Sequence, residues 1–79
     1  MEERTLDVRD IPPAQRHTRI FDVFDDLEGG DRLVLINDHE PKPLFYEMRA
    51  EVDAFDADGY SVERRGDAEF VATFPKEAE

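Results

Sequence analysis

No cysteine occurs among the 79 residues, which removes disulfides, thiolate nucleophiles and thiolate-held metals and leaves packing to supply stability. Lysine is scarce too. Lys42 and Lys76 stand against eight arginines, and the 10 basic residues face 21 acids, a net charge of −11. A body that negative repels phosphate backbones, so nucleic acids are excluded as partners. No apolar stretch approaches the ~20 residues that cross a bilayer, which excludes a membrane span. The opening Met1-Glu2-Glu3-Arg4 is charged and leads straight into a strand pattern, which points to a cytoplasmic protein. The acid-rich, lysine-poor balance resembles that of proteins from extreme halophiles, where salt screens the self-repulsion of the compact state.

What is present is strong periodicity. Thr5-Leu6-Asp7-Val8-Arg9 alternates with the period of a strand and stops at Ile11-Pro12-Pro13, where the prolines end a ladder and open a helix. From Pro13 to Leu27 the residues Ile20, Phe21, Val23, Phe24 and Leu27 line one helical face, and Gly29-Gly30 supplies a left-handed stop. Leu33-Val34-Leu35-Ile36 is a continuous apolar run, the pattern of a central strand. Leu44, Phe45, Met48, Val52 and Phe55 recur at helical spacing and predict a second helix from about Pro41 to Phe55, before Asp58-Gly59 turns the chain. Tyr60 and Val62, then Phe70, Ala72 and Phe74, alternate on either side of Arg65-Gly66-Asp67 and predict a hairpin.

The order β-α-β-α-β-β predicts an α+β domain, a two-layer sandwich with two helices on one face of a four-stranded mixed sheet. It fills residues 1–79 as one unit with a thin core, Ile20, Phe24, Leu35 and Phe45 among it, and residues 75–79 are expected to fray. Tyr46 and Tyr60 are expected as aromatics at the edge of that core. Asp56-Ala57-Asp58-Gly59 imitates the middle of a calcium loop, but the obligatory acids at its first and twelfth positions would be Ala54 and Arg65, so no such loop exists.

The stretch Asn37-Asp38-His39-Glu40-Pro41-Lys42-Pro43-Leu44 carries the densest chemistry. Two prolines fix φ at the start of the second helix and hold His39 on a stiff corner. Asp38 or Glu40 is expected to cap the free N–H groups of that helix. His17 is expected on the apolar side of the first helix, and parallel first and second strands bring both helix starts to one edge of the sheet. His17, His39 and Asp38 could then form an open site for a divalent metal, or His39 could bond a backbone carbonyl and lock the turn. Arg16 and Arg9, beside two helix N-termini, suit an anion, with ion pairing to the abundant acids as the alternative.

The segments LDVRDIPP, QRH, RIF and GGDRLVLINDHEPKPL resemble those of a family of small domains of unknown function, similar in fold to the TusA/SirA sulfur-carrier proteins. The resemblance implies the same two-layer fold. Sulfur carriers of that kind set a cysteine before Pro-x-Pro at the start of the first helix. Here Pro41-Lys42-Pro43 opens the second helix and no thiol exists, so persulfide carriage is excluded. Two functions follow. One is a binding module for a protein partner or a small anionic or metal ligand, built from Arg16, His17, Asp38, His39, Pro41 and Pro43, in metal, redox or sulfur metabolism. The other is a small enzyme or metal-binding protein, with His39 and His17 as acid/base groups or ligands. No nucleophile, phosphate loop or cofactor fingerprint favours the enzyme.

Overall fold

The computed structural model describes residues 2–78. Its elements are β1 (Glu3–Asp7), α1 (Pro13–Asp25), β2 (Arg32–Asn37), α2 (Lys42–Glu51), a single 3-10 turn (Ala57–Gly59), β3 (Ser61–Gly66) and β4 (Glu69–Pro75). The sheet runs β1-β2-β4-β3, with β1 parallel to β2 and the other neighbours antiparallel. This is the expected α+β architecture. The two central strands bury alternate residues: Leu33, Leu35 and Asn37 on β2 and Ala72 and Phe74 on β4 face the helices. They pack with Ile20, Val23 and Phe24 of α1, Leu44 and Met48 of α2, and Val8, Leu27 and Phe55 from the connections.

Helix α1 presents Arg16, Ile20, Val23 and Phe24 as its buried stripe. It stops at Asp25, and the glycine pair serves the next turn instead. Gly30, at φ +92°, donates its N–H to Lys76 O and starts β2. Helix α2 is shorter than its apolar spacing predicts. Val52 is already extended and Phe55 donates to Val52 O, so Phe55 enters the core from a turn that pairs with Lys76. Phe45, Phe55, Phe74 and Tyr60 meet edge-on or tilted at ring separations of 4.4–6.5 Å. Phe45 is half-buried against the core, Tyr60 sits at its edge, and Tyr46 is exposed.

The expected fraying of residues 75–79 does not hold for residues 75–77, while Glu79 lies outside the described residues. Pro75 completes β4, Lys76 N–H donates to Asp31 O, and Glu77 N–H donates to Ala54 O. The physical reason is an unmet need at the end of α1, whose last turn carries no base while its carbonyls carry partial negative charge. Lys76 Nζ fills that place. It donates to Phe24 O at 3.2 Å, Asp25 O at 3.1 Å and Leu27 O at 2.6 Å, using all three of its protons. We expect Lys76→Met, which keeps the apolar stem, to lower stability by about 2 kcal/mol, within the range of charge-assisted bonds. Urea unfolding checks this, and a midpoint unchanged by the substitution would show that water serves those carbonyls as well.

Candidate functional site

Because β1 and β2 are parallel, α1 and α2 both start at the same edge of the sheet, after Asp7 and after Asn37. The two connections are tied together there by Arg16. Its position on the buried stripe of α1 draws the guanidinium inward, and the side chain is nine-tenths buried. All five N–H donors are then spent within the fold. Nε donates to Ile11 O at 2.8 Å. Nη1 donates to Asn37 Oδ1 at 3.2 Å and Asp38 Oδ1 at 3.1 Å. Nη2 donates to Arg9 O at 3.3 Å and Asp38 Oδ2 at 3.2 Å. Of the two roles open to Arg16 in the sequence, the structure shows ion pairing, with no donor left for an anion.

Arg9 is likewise paired, with Asp7 at 2.8 Å. The two hold each other's charged forms: Arg9 lowers the Asp7 pKa, and Asp7 raises that of Arg9.

Asn37 is the residue that the sequence reading passed over. It shares the inward parity of Leu33 and Leu35 and is 5% exposed, a polar group at a core position that strand alternation could have revealed. Its Oδ1 accepts from Arg16 and from the Asp38 N–H at 2.9 Å. That commits the oxygen, and the amide N–H2 is the group this side chain offers to the neighbouring cleft.

Asp38 lies between Arg16 and His39. The Arg16 hydrogen bonds first, and His39 second, hold its carboxyl at about 2, well below the usual carboxylate range. His39 Nδ1 sits 2.7 Å from Asp38 Oδ1 while the ring itself is exposed. Asp38 is thus an orienting group for His39 and does not cap α2. Neither it nor Glu40 makes the expected cap, since no side-chain bond closes that helix start; Pro41 stands at the N-cap and Pro43 in the first turn. His17 also differs from expectation. Arg16 takes the inward position, and His17 is half-exposed with Nδ1 3.6 Å from Glu47 Oε1 on α2.

A cleft of about 190 Å³ opens between the two helix starts. Ile20 and Leu44 supply apolar wall, and Arg16, His17, Asn37, His39, Pro41 and Pro43 complete it with Pro13. Five of the six residues singled out in the sequence therefore share one cavity, while Asp38 stands behind His39. The metal expectation fares differently. Among the described residues no three His, Cys, Asp or Glu side chains are grouped to hold a metal ion. His17, His39 and Asp38 do not assemble such a site because Asp38 is turned onto Arg16 and His17 onto Glu47.

Fold and cleft together define a two-layer α+β domain with a small cavity of mixed apolar and polar lining at the carboxyl edge of its parallel strands. Residues 5–76 match the model of a family described as "Uncharacterized conserved protein (DUF2249)", and the chain belongs to that family. Neither the curated proteins nor the solved structures include a match to the chain. No helix among the described residues is long and apolar enough to cross a membrane.

Proposed function

We propose that the protein is a small binding module whose cleft between the helix starts takes a small anionic ligand of the carboxylate or phosphate type. The observation that carries this is the convergence of His17, Asn37 and His39, from α1, β2 and the corner before α2, on one cavity. The Asn37 amide offers N–H donors, and each imidazole adds one at Nε2 when it is protonated on both nitrogens, its Nδ1 being turned to a carboxylate. Both helix starts turn their positive ends to the same edge, and Ile20 and Leu44 exclude water from one side. The cavity is smaller than those that hold drug-sized molecules, about 300 Å³ and above, so the ligand is a fragment-sized anion or an acidic side chain of a protein partner. The sulfur-carrier resemblance supports the same edge as a recognition surface without thiol chemistry. The acidic, lysine-poor exterior suits a salt-rich cytoplasm, where short-range donors act on a ligand that the net charge would repel in dilute buffer.

The probes are acetate, succinate and inorganic phosphate added to the isotopically labelled protein. We expect amide shifts confined to residues 13–20 and 37–45 for at least one of them, and their loss in His39→Ala. Because His39 is exposed and contributes little packing, His39→Ala should leave stability within about 1 kcal/mol. Shifts scattered over the surface, or none at saturating probe, would sink the proposal. A second function has its own observation: the 2.7 Å contact between Asp38 and His39 is the arrangement of a proton acceptor fixed by a carboxylate. For that function Asp38→Asn should leave anion binding in place and abolish any proton-transfer activity, whereas loss of binding alone would assign the pair to recognition.

A further inference from the structure

The helices cover one side of the sheet, and the side turned away from them is built on a repeat that fits itself. Its cross-strand rows follow from the register. Glu3 and Arg32 stand beside Pro75; the next row is Thr5, Val34, Thr73 and Ser61; the next is Asp7, Ile36, Val71 and Glu63. Beyond it lie Arg9, bonded to Asp7 and 3.9 Å from Glu69, and Arg65, 3.5 Å from Glu63. Val34, Ile36, Val71 and Thr73 are only half-buried although they occupy the two central strands.

The charges of this face are nearly balanced. Glu3, Asp7, Glu63 and Glu69 meet Arg9, Arg32 and Arg65, one surplus negative charge in a molecule that carries −11. The face is therefore where a second acidic body meets the least repulsion. A two-fold axis lying across the strands, between the two middle rows, sets each strand antiparallel over its own copy. Val34 then faces the second copy's Ile36, and Thr73 faces its Val71. The hydroxyls of Thr5 and Ser61 face the carboxylates of Asp7 and Glu63. At the ends Glu3 faces Arg9, and Arg32 lies diagonally over Glu69. Apolar groups meet apolar groups, donors meet acceptors and opposite charges meet, as an isologous interface requires, in the aligned packing of two sheets.

We propose that this sheet face is a self-association surface, through which two copies of the chain pack sheet to sheet with their clefts facing outward. Four short strands cover an area at or below the low end of specific interfaces, about 1,200 Å² in total, so association is weak. It strengthens with salt, which screens the charge on the rest of each copy.

Sedimentation equilibrium of the whole chain, from micromolar to millimolar protein in dilute and in molar KCl, tests this. The expected result is a mass that rises from 9.2 kDa towards twice that value, at lower protein concentration in molar KCl. Ile36→Lys should abolish the rise although it lowers the net negative charge and so weakens general repulsion. Thr18→Lys makes the same charge change on the exposed side of α1 and should leave the rise intact. Ile36 is outside the buried core, and circular dichroism confirms that both variants are folded. A monomer under every condition would overturn the proposal, as would a dimer that survives Ile36→Lys or a dimer lost in Thr18→Lys.

Discussion

Replacing Arg16 by leucine is expected to lower the stability of the domain by about 3 kcal/mol, although leucine is a better match to the apolar stripe on which Arg16 lies. Removing one partner of a buried pair costs about 3–5 kcal/mol, because the other partner keeps its desolvation and loses its compensation. Asp38 is 39% exposed and can recover part of its hydration, which moves the expectation to the low end. The carbonyls of Ile11 and Arg9 and the amide oxygen of Asn37 each lose an N–H donor at the same time. In a domain of this size, 1 kcal/mol moves the midpoint by about 4–8 °C, so thermal unfolding should begin more than 10 °C earlier. Arg16→Lys restores the charge but not the five-donor fork, and should fall between the two. If leucine is tolerated without loss, the network is ornament and the helix starts are held by packing alone.

The same network gives that difference a pH dependence of known sign. Asp38 titrates lower in the folded chain, at about 2, than in the unfolded chain, at about 3.9. A depressed carboxyl stabilises the fold above its unfolded pKa and loses that contribution as pH falls towards the folded value. The gap in stability between the parent and Arg16→Leu is therefore expected to be constant from neutrality down to about pH 4 and to narrow between about pH 4 and pH 2. Acid titration followed by urea unfolding at each pH measures it. A gap that stays constant through that window would mean that Asp38 draws no stability from Arg16.

Much of this was legible in the chain because periodicity reports burial. Leu33-Val34-Leu35-Ile36 reads as a central strand since four apolar residues in a row have few other uses, and β2 lies between β1 and β4. The carboxyl-edge cleft was legible as a location, because parallel β1 and β2 must bring both helix starts together. What escaped depends on single polar contacts. Arg16 and His17 are adjacent, and spacing from Ile20 and Phe21 gives both a claim to the inward face. The choice falls to Arg16 because its fork meets Ile11, Arg9, Asn37 and Asp38 together, which no pattern of apolar residues encodes. The end of α2 escaped for a related reason. Phe55 keeps its helical spacing in the sequence yet reaches the core from a turn, because its neighbours bond to the last strand. The tail was expected to fray because it is short, charged and terminal. Lys76 overrides all three properties by closing a helix whose last turn lacks a base of its own.

Raising KCl from about 0.05 M to about 2 M is expected to raise the thermal midpoint by more than 10 °C, measured at low micromolar protein, where self-association does not contribute. Two electrostatic effects oppose each other, and their sizes decide the sign. Salt weakens the ion pairs Arg9–Asp7, Arg32–Glu3, Arg64–Asp67 and Arg65–Glu63, which are separated by 2.8–3.5 Å but lie at the surface. Such pairs contribute about 0–1 kcal/mol each. Against them stand 11 uncompensated negative charges on a body with a radius of gyration of 11.6 Å. At low salt the screening length exceeds that radius, so the carboxylates repel across the whole molecule, whereas at molar salt it is about 3 Å and each one meets only its neighbours. The unfolded chain spreads the same charges apart and gains less from screening, so the folded state benefits. At the end of α1, Asp22, Asp25 and Asp26 crowd the negative end of a helix whose last turn holds no base of its own, against the single positive charge of Lys76. Replacing these three by asparagine should raise the midpoint in dilute KCl and flatten its rise with salt. A parent midpoint that does not move with KCl would mean that the surplus charge is already neutralised by bound cations, and the three asparagines would then change nothing.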